Sequence, residues 1–135
     1  MTQEQISYLA RLHGGQWFGF DGKQTYENMW VADGYDKPTM QEIEDGIPQL
    51  ELEQWRNSFK VATYKLEIEL EERGLMATVQ TIIDQSPKSV RIGWNKSPTV
   101  RRMSQTVIGL ASHPDIALTA EQLDDIFKSA DLREL

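Results

Sequence analysis

The sequence lacks cysteine entirely, and this absence excludes several kinds of chemistry at once. Disulfide bonds, thiolate nucleophiles and sulfur-ligated zinc or iron sites all need that residue. Long apolar runs are missing too, since no wholly apolar stretch exceeds a few residues. A membrane span or the core of a signal peptide needs a longer run. The start, Met1-Thr-Gln-Glu-Gln, has no basic side chain, and we expect synthesis in a cytoplasm without a membrane partner.

Residues typical of catalysis are also few. The two histidines, His13 and His113, each stand beside glycine or proline at an expected helix end, where a cation is favoured. The sequence contains no G-x-S-x-G elbow, no H-E-x-x-H pair and no glycine-rich phosphate loop. Its aspartates do not follow EF-hand spacing. We predict a non-enzymatic protein without catalytic residues, cofactor or metal site.

Positive charge is scarce overall but concentrated in one segment. The net charge is −7, yet residues 85–114 contain five basic residues and no acidic one. The rest of the chain therefore has 9 basic and 21 acidic residues, a charge of −12. The negative total argues against a general nucleic-acid binder, whereas a basic segment equally suits an acidic protein neighbour. We call the five basic residues the basic strip: Lys88, Arg91, Lys96, Arg101 and Arg102.

Apolar spacing predicts a mainly α fold of the α+β class, a helical domain with a long central helix. Over residues 50–74 apolar side chains recur at steps of three and four, which predicts a helix of about seven turns. Gly74 should close this helix in the left-handed conformation. The acidic residues near the end of this helix could form a cation site or contact a basic partner, but we expect them to lie on a solvated face: Glu67, Glu69, Glu71 and Glu72.

Aromatic residues predict an N-terminal β-hairpin after a short helix that Thr2 and Gln5 cap. Aromatic-rich strands at 16–20 and 23–31 flank Asp21-Gly22, a strong hairpin signal. A lone hairpin is marginally stable, so we expect it to pack on the long helix. Because a thin hairpin buries little, its aromatic residues are candidates either for the core or for binding a partner: Trp17, Phe18 and Trp30.

Capping signals predict the remaining helices. Thr39 with Glu42 predicts a brief helix that Gly46 and Pro48 stop. No linker or repeat separates the segments, so we predict a single domain over 1–135, with a hairpin-containing part at 1–47 and a helical part at 48–135. Further helix starts are predicted at Ser86-Pro87, Ser97-Pro98 and Thr119-Ala-Glu-Gln122.

The helix expected after Ser97-Pro98 offers an alternative function. It would place Arg101 and Arg102 near its start, as in the recognition helix of a helix-turn-helix DNA-binding regulator. Gly93-Trp94 stands where such a motif needs a compact turn, and the net charge of −7 weakens nonspecific DNA binding. We therefore favour a protein partner for the basic strip over DNA.

Two stretches resemble proteins of tailed bacteriophages. Tyr26-Glu-Asn-Met-Trp30 followed by Lys37-Pro-Thr-Met-Gln-Glu-Ile43 resembles a stretch of small proteins and fibre ends from tail modules. The C-terminal third is similar to the ends of small proteins from tail and tail-fibre gene clusters. Together the two stretches cover about half of the chain. The C-terminal likeness is carried by Trp94, Arg101-Arg102, Ser104, Leu110-Ala111 and residues 118–127.

The resemblance implies a structural or assembly protein of the phage tail, near the baseplate or fibres, that acts by binding other tail or fibre proteins. It implies a place in the host cytoplasm during assembly, and in the virion tail if the protein is structural. A tail-fibre assembly chaperone, absent from the virion, is the alternative, and a homo-oligomer stays open. From the residue patterns, we expect docking through Trp17, Phe18, Trp30, Lys88, Arg91, Arg101 and Arg102.

Overall fold

A computed structural model describes residues 1–134. It confirms the predicted fold class, because the chain is mainly helical, with short antiparallel β-hairpins and one of these near the N-terminus. The described residues form seven helices and four strands: α1 Gln3–Leu12, β1 Phe18–Phe20, β2 Met29–Val31, α2 Met40–Ser58, β3 Lys60–Ala62, α3 Thr63–Glu72, α4 Met76–Asp84, α5 Lys88–Lys96, β4 Thr99–Arg101, α6 Gln105–Ser112 and α7 Ala120–Asp131.

Contacts within the chain separate it into two compact units, which we call unit 1 (Met1–Gln54) and unit 2 (Trp55–Leu135). Helix α2 begins in unit 1 and ends in unit 2. Each unit has its own hydrophobic core and its own two-stranded sheet, β1 with β2 and β3 with β4. The expectation of a single domain, divided after residue 47, stays a prediction.

Unit 1 is built around an aromatic core. Helix α1 begins with the predicted capping box, in which the Thr2 hydroxyl accepts the Gln5 N–H at 3.2 Å and the Gln5 side chain accepts the Thr2 N–H at 2.9 Å. Strands β1 and β2 pair antiparallel. The hairpin packs on α1 and on the beginning of α2 rather than on the predicted long helix, and the buried core consists of Leu9, Trp17, Met29 and Ile43.

The hairpin connection is longer than predicted. Gly22 has a φ of +88°, as the Asp-Gly turn requires, but β2 begins only at Met29. The residues between them form local turns, in which the Thr25 N–H donates to the Lys23 carbonyl at 2.9 Å and the Asn28 N–H donates to the Thr25 carbonyl at 3.2 Å. The second strand predicted over residues 23–31 is therefore too long, because these turns remove residues 23–27 from the ladder, while the Asn28 carbonyl still accepts the Asp21 N–H at 2.9 Å.

Helix α2 runs through both residues that were predicted to stop it. It begins as predicted, with the Thr39 hydroxyl accepting the Glu42 N–H at 3.1 Å. Gly46 lies inside the helix, where a side chain would overlap the ring of Tyr8. Pro48 costs one backbone hydrogen bond, but α2 continues to Ser58. The predicted stop is wrong because Gly46 serves close packing here rather than helix termination.

The predicted helix over residues 50–74 is broken in the middle. Helix α2 ends, β3 follows, and α3 begins at Thr63. Strand β3 pairs with β4 and places Val61 opposite Val100, with both side chains buried. The Thr63 hydroxyl donates to the Ser97 carbonyl at 2.7 Å. These β-branched residues gain strand pairing and packing with a segment distant in sequence, which overrides the helical spacing.

The corner predicted at Gly74 is confirmed. Gly74 has a φ of +75°, its N–H donates to the Glu71 carbonyl at 3.0 Å, and the Leu75 N–H donates to the Leu70 carbonyl at 2.8 Å. This pair of hydrogen bonds is the Schellman arrangement that ends many helices. Helix α4 then starts at Met76, as a separate helix after the glycine.

The core of unit 2 is largely aliphatic and draws on β3, β4 and five helices. Helix α7 begins with the predicted capping box of Thr119 and Gln122, and α6 begins after Ser104, whose hydroxyl accepts the Val107 N–H at 3.1 Å. Within residues 1–134, none of the helices has both the length and the apolarity to cross a membrane. The most deeply buried core side chains of unit 2 are Val61, Leu66, Ile83, Ile126, Phe127 and Ala130.

Candidate partner-binding surfaces

Trp17 is buried, contrary to the expectation that the hairpin would leave it accessible. Its side chain has no exposed surface, and its indole Nε1–H donates to the Leu9 carbonyl of α1 at 2.8 Å. His13 packs edge-on against it, with ring centroids 4.8 Å apart. The expectation was wrong because α1 and the start of α2 cover this side of the hairpin. Trp17 stabilises unit 1 and cannot contact a partner of the folded chain.

Phe18 and Trp30 are the two other aromatic candidates. Phe18 is half-buried, with its ring centroid 5.1 Å from that of Trp17. Trp30 is 44% exposed and lies opposite Gly19 in the strand pair. Its ring covers Gly19 so closely that a side chain there would overlap it. Trp30 is thus held across the strands while much of its surface stays open to solvent.

The basic strip divides into exposed residues and one buried residue. Lys88 and Arg91 are exposed on α5, and Arg101 is exposed on β4. Arg102, the next residue, is only 3% exposed. Successive residues of an extended segment point to opposite sides, so Arg102 turns inward like Val100. The expected place of Arg102 on a docking surface is therefore wrong.

Arg102 belongs to a buried ion-pair cluster around Asp124 of α7. The Arg102 Nε donates to Asp124 Oδ1 at 2.8 Å, and the Arg56 Nη2 donates to Asp124 Oδ2 at 2.7 Å. Asp124 is 6% exposed. Burial alone would raise the pKa of Asp124, but hydrogen bonds from Arg56 and Arg102 hold it below its usual value. The cluster joins α2, the end of β4 and α7 within unit 2, so its role is structural.

A signal for this cluster existed in the sequence. Asp124 stands next to Leu123 and three positions before Phe127, on the apolar face of α7. A carboxylate on such a face is buried only when it is paired. Its two partners are remote in sequence, at Arg56 and Arg102, which is why helical spacing alone did not find them.

A second buried carboxylate corrects the interpretation of the glutamate-rich stretch. Glu69 was expected on a solvated face but is 4% exposed, because its Oε1 accepts from Arg73 Nε at 2.9 Å and its Oε2 accepts from Arg133 Nε at 2.8 Å. Burial would raise the pKa of Glu69, but hydrogen bonds from Ser129, Arg133 and Arg73 lower it. Arg133 also pairs with the exposed Glu72. These contacts connect α3 to the end of α7.

The residues after α5 do not form a recognition helix. Residues Thr99–Arg101 form β4, and the next helix begins only at Gln105. The Ser97 hydroxyl donates to the Thr99 carbonyl at 2.7 Å instead of capping a helix. Ser86 likewise donates to the Ile82 carbonyl at 2.7 Å rather than capping α5. The predicted recognition helix is wrong, since Arg101 lies on a strand and Arg102 is buried.

A groove of about 410 Å³ runs beside α5 and β4 in unit 2. Val90 and Trp94 of α5 and Val100 of β4 give it an apolar lining, and Arg101 and Ser104 add polar groups. The Trp94 indole Nε1 is buried and has no hydrogen-bond partner among the described residues. The groove combines apolar area with a cation and hydroxyl groups.

Both histidines lie where the sequence placed them, since His13 follows the last residue of α1 and His113 follows the last residue of α6. Over residues 1–134, no group of three or more acidic or histidine side chains is placed to hold a metal ion. Sequence reasoning thus identified the helix-end positions but missed the two buried carboxylates.

Scans against protein-family models and searches of curated proteins and solved structures find no match to this chain. The resemblance to phage tail proteins therefore depends on the two sequence stretches. Their residues have identifiable structural roles: the Tyr26 hydroxyl donates to the Pro38 carbonyl at 2.7 Å, and Ile43 lies in the core of unit 1. Trp94 and Phe127 lie in the core of unit 2. A chain that shares these residues would share the means of building both cores.

Proposed function

We propose that this protein is a non-enzymatic structural or assembly component of a bacteriophage tail, in the baseplate or fibre region, and that it binds other tail proteins. The observation that carries the proposal is the exposed cationic surface of unit 2. Lys88, Arg91 and Arg101 are exposed in a segment without acidic residues, on a chain of net charge −7. Exposed cations of this kind attract and orient an acidic partner surface.

A second contact is expected from unit 1. Trp30 is a large, partly exposed aromatic side chain whose ring is supported by Gly19. Tryptophan is enriched among the residues that dominate binding energy in protein interfaces, because it supplies a large contact area with few torsions to order. The identity of the partners as tail proteins comes from the resemblance, which includes Trp30 itself.

The test is recovery of tail proteins with an affinity-tagged chain during phage infection, quantified by mass spectrometry at low and high salt. The charge-reversed variant carries Lys88→Glu and Arg91→Glu, and a matched control carries Arg11→Glu and Lys23→Glu on exposed residues of unit 1. We expect the first variant to recover less tail protein than the control, with the larger difference at low salt because salt screens exposed charges. Arg102 is left unchanged because a carboxylate there would face Asp124.

Two results would contradict the proposal. If the wild-type chain recovered no tail protein at either salt concentration, a role in tail assembly would be wrong. If the charge-reversed variant and its control recovered equal amounts, the cationic surface would not be the docking site. The same samples separate a virion component from an assembly chaperone, since only the former is present at fixed stoichiometry in purified particles.

A further inference from the structure

We propose that the groove beside α5 and β4 binds an extended acidic segment of a partner protein. This inference depends on the proposed function, because it specifies where and by what chemistry the partner is recognised. It assigns an apolar contact to the half-buried Val90 and a carboxylate contact to the exposed Arg101, whereas Trp94 and Val100, which also line the groove, are buried in the core. The groove lies entirely within unit 2.

The size and lining of the groove fit a short peptide segment. Its volume of about 410 Å³ is in the range of sites that hold small ligands or a few side chains. Val90 offers apolar surface, and Ser104 and Thr106 contribute hydroxyl groups. A segment that alternates apolar and acidic residues would match this lining, with an apolar side chain against Val90.

Strand β4 adds backbone groups to the same site. The Thr63 N–H donates to the Pro98 carbonyl at 3.0 Å, and the Arg102 N–H donates to the Phe59 carbonyl at 2.9 Å. Antiparallel pairing alternates, so the backbone groups of Thr99 and Arg101 point away from β3. Their carbonyls already accept hydrogen bonds within the chain, from the Ser97 hydroxyl at 2.7 Å and from the Ser104 N–H at 3.1 Å. The N–H groups of Thr99 and Arg101 are the donors left for an occupant, and an extended segment, whose own carbonyls are not used within a helix, can accept from them.

Charge selects an acidic occupant. Of the basic strip, Arg101 lines the groove, whereas Lys88, Arg91 and Lys96 are exposed on α5 outside its lining. Residues 85–114 contain no aspartate or glutamate that could neutralise them within the segment. Arg102 does not add to this field in the same way because it pairs with Asp124. A segment that places a carboxylate beside Arg101 would therefore bind here in preference to a neutral or basic one.

Gly93 makes the inference testable without unfolding the protein. It lines the groove on α5, and a Cβ built there meets no heavy atom of another side chain or strand within 4 Å. A larger residue at this position therefore enters the groove rather than the core. Replacing a helical glycine also favours the helix, so stability should not fall. Gly109 of α6 is a matched control, since it is helical, equally free of contacts, and does not line the groove.

The experiment is selection of short random peptides by display on the full chain, followed by affinity measurement with the selected peptides. We expect enrichment of peptides that carry aspartate or glutamate among apolar residues. Gly93→Leu and Arg101→Glu should each weaken binding by about tenfold or more, whereas Gly109→Leu should change it by less than about twofold. Thermal unfolding of Gly93→Leu should show no loss of stability relative to the wild type.

Three results of the peptide experiment would overturn the inference. One is a selection without acidic enrichment, and another is equal binding by the Gly93→Leu and Gly109→Leu variants. The third is competition of a labelled DNA duplex with the peptides, together with loss of duplex binding in Gly93→Leu. That result would assign the groove to nucleic acid. If the wild type and Gly93→Leu recovered the same tail proteins, the groove inference would fail while the proposed function stood. If neither recovered any, the proposed function would fail irrespective of the peptide result.

Discussion

Each unit contains two residues of the same type, of which one is buried and the other is exposed. Unit 1 buries one tryptophan of its hairpin region, Trp17, and exposes another, Trp30. Unit 2 buries Arg102 and exposes its neighbour Arg101. The buried member of each pair has a partner supplied by a distant element, a carbonyl of α1 for Trp17 and the Asp124 carboxylate of α7 for Arg102. Residue type thus identifies a candidate for partner binding, but whether the side chain is exposed depends on whether the fold supplies a buried hydrogen-bond partner for it.

The cores of the two units differ in composition. Unit 1 packs aromatic and aliphatic side chains, whereas unit 2 combines a larger aliphatic core with two buried carboxylates. Among the described residues, the buried charged side chains are Glu69, Arg102 and Asp124, all in unit 2. The stability of unit 2 should therefore respond to charge changes that leave unit 1 unaffected.

The largest effect is expected for the tryptophan pair. Trp17→Ala should lower the free energy of unfolding of unit 1 by about 3–5 kcal/mol, because it leaves a large cavity and an unpaired carbonyl. Trp30→Ala should cost less than about 1 kcal/mol, since much of the ring is already exposed. Urea titrations that follow the amide NMR signal of Leu9 measure both values. Similar losses for the two variants would remove the distinction between core and surface tryptophan.

Alanine substitution of the two arginines should also affect the buried residue more than the exposed one, with a smaller difference in stability than for the tryptophans. Arg102→Ala should destabilise unit 2 by about 3 kcal/mol, because Asp124 stays buried with only Arg56 to compensate it. Arg101→Ala should change stability by no more than about 0.5 kcal/mol, since the side chain is exposed. The Ala130 amide signal reports the unfolding of unit 2. An Arg101→Ala variant as unstable as Arg102→Ala would contradict the assignment of Arg101 to the surface.

At acidic pH the two units should differ in how much folding stability they lose, by a still smaller amount. The folded-state pKa values of Asp124 and Glu69 are lowered, so their contribution to stability is complete above the unfolded-state pKa. That contribution is lost as the pH falls below about 4 and through the lowered folded-state values. We expect the Ala130 signal to report a loss of stability there that Asp124→Asn reduces, with a shallower change at Leu9. Equal slopes for the wild type and Asp124→Asn would contradict this linkage.

Local signals in the sequence predicted the parts of the fold that depend on local contacts. The capping boxes at Thr2 and Thr119 and the left-handed corner at Gly74 need only neighbouring residues, and the structure contains all three. The break at β3 was missed because Val61 pairs with Val100, a partner that no helical periodicity reveals.

The candidate surface could be predicted only in part for the same reason. Composition located the basic strip, and exposure was predicted correctly for Lys88, Arg91 and Arg101. The burial of Trp17 and Arg102 depends on a carbonyl and a carboxylate that the fold brings in from elsewhere. Burial therefore has to be judged from the partner as well as from the residue.

The most direct test of the account is the affinity of a tail-protein partner for Arg101→Glu and for the control Arg11→Glu, measured at low and high salt. The account predicts that Arg101→Glu weakens binding by about tenfold at low salt and by less at high salt, while Arg11→Glu stays within about twofold of the wild type. Equal effects of the two variants, or an unchanged affinity of Arg101→Glu at both salt concentrations, would contradict the claim that the exposed cationic surface of unit 2 binds the partner.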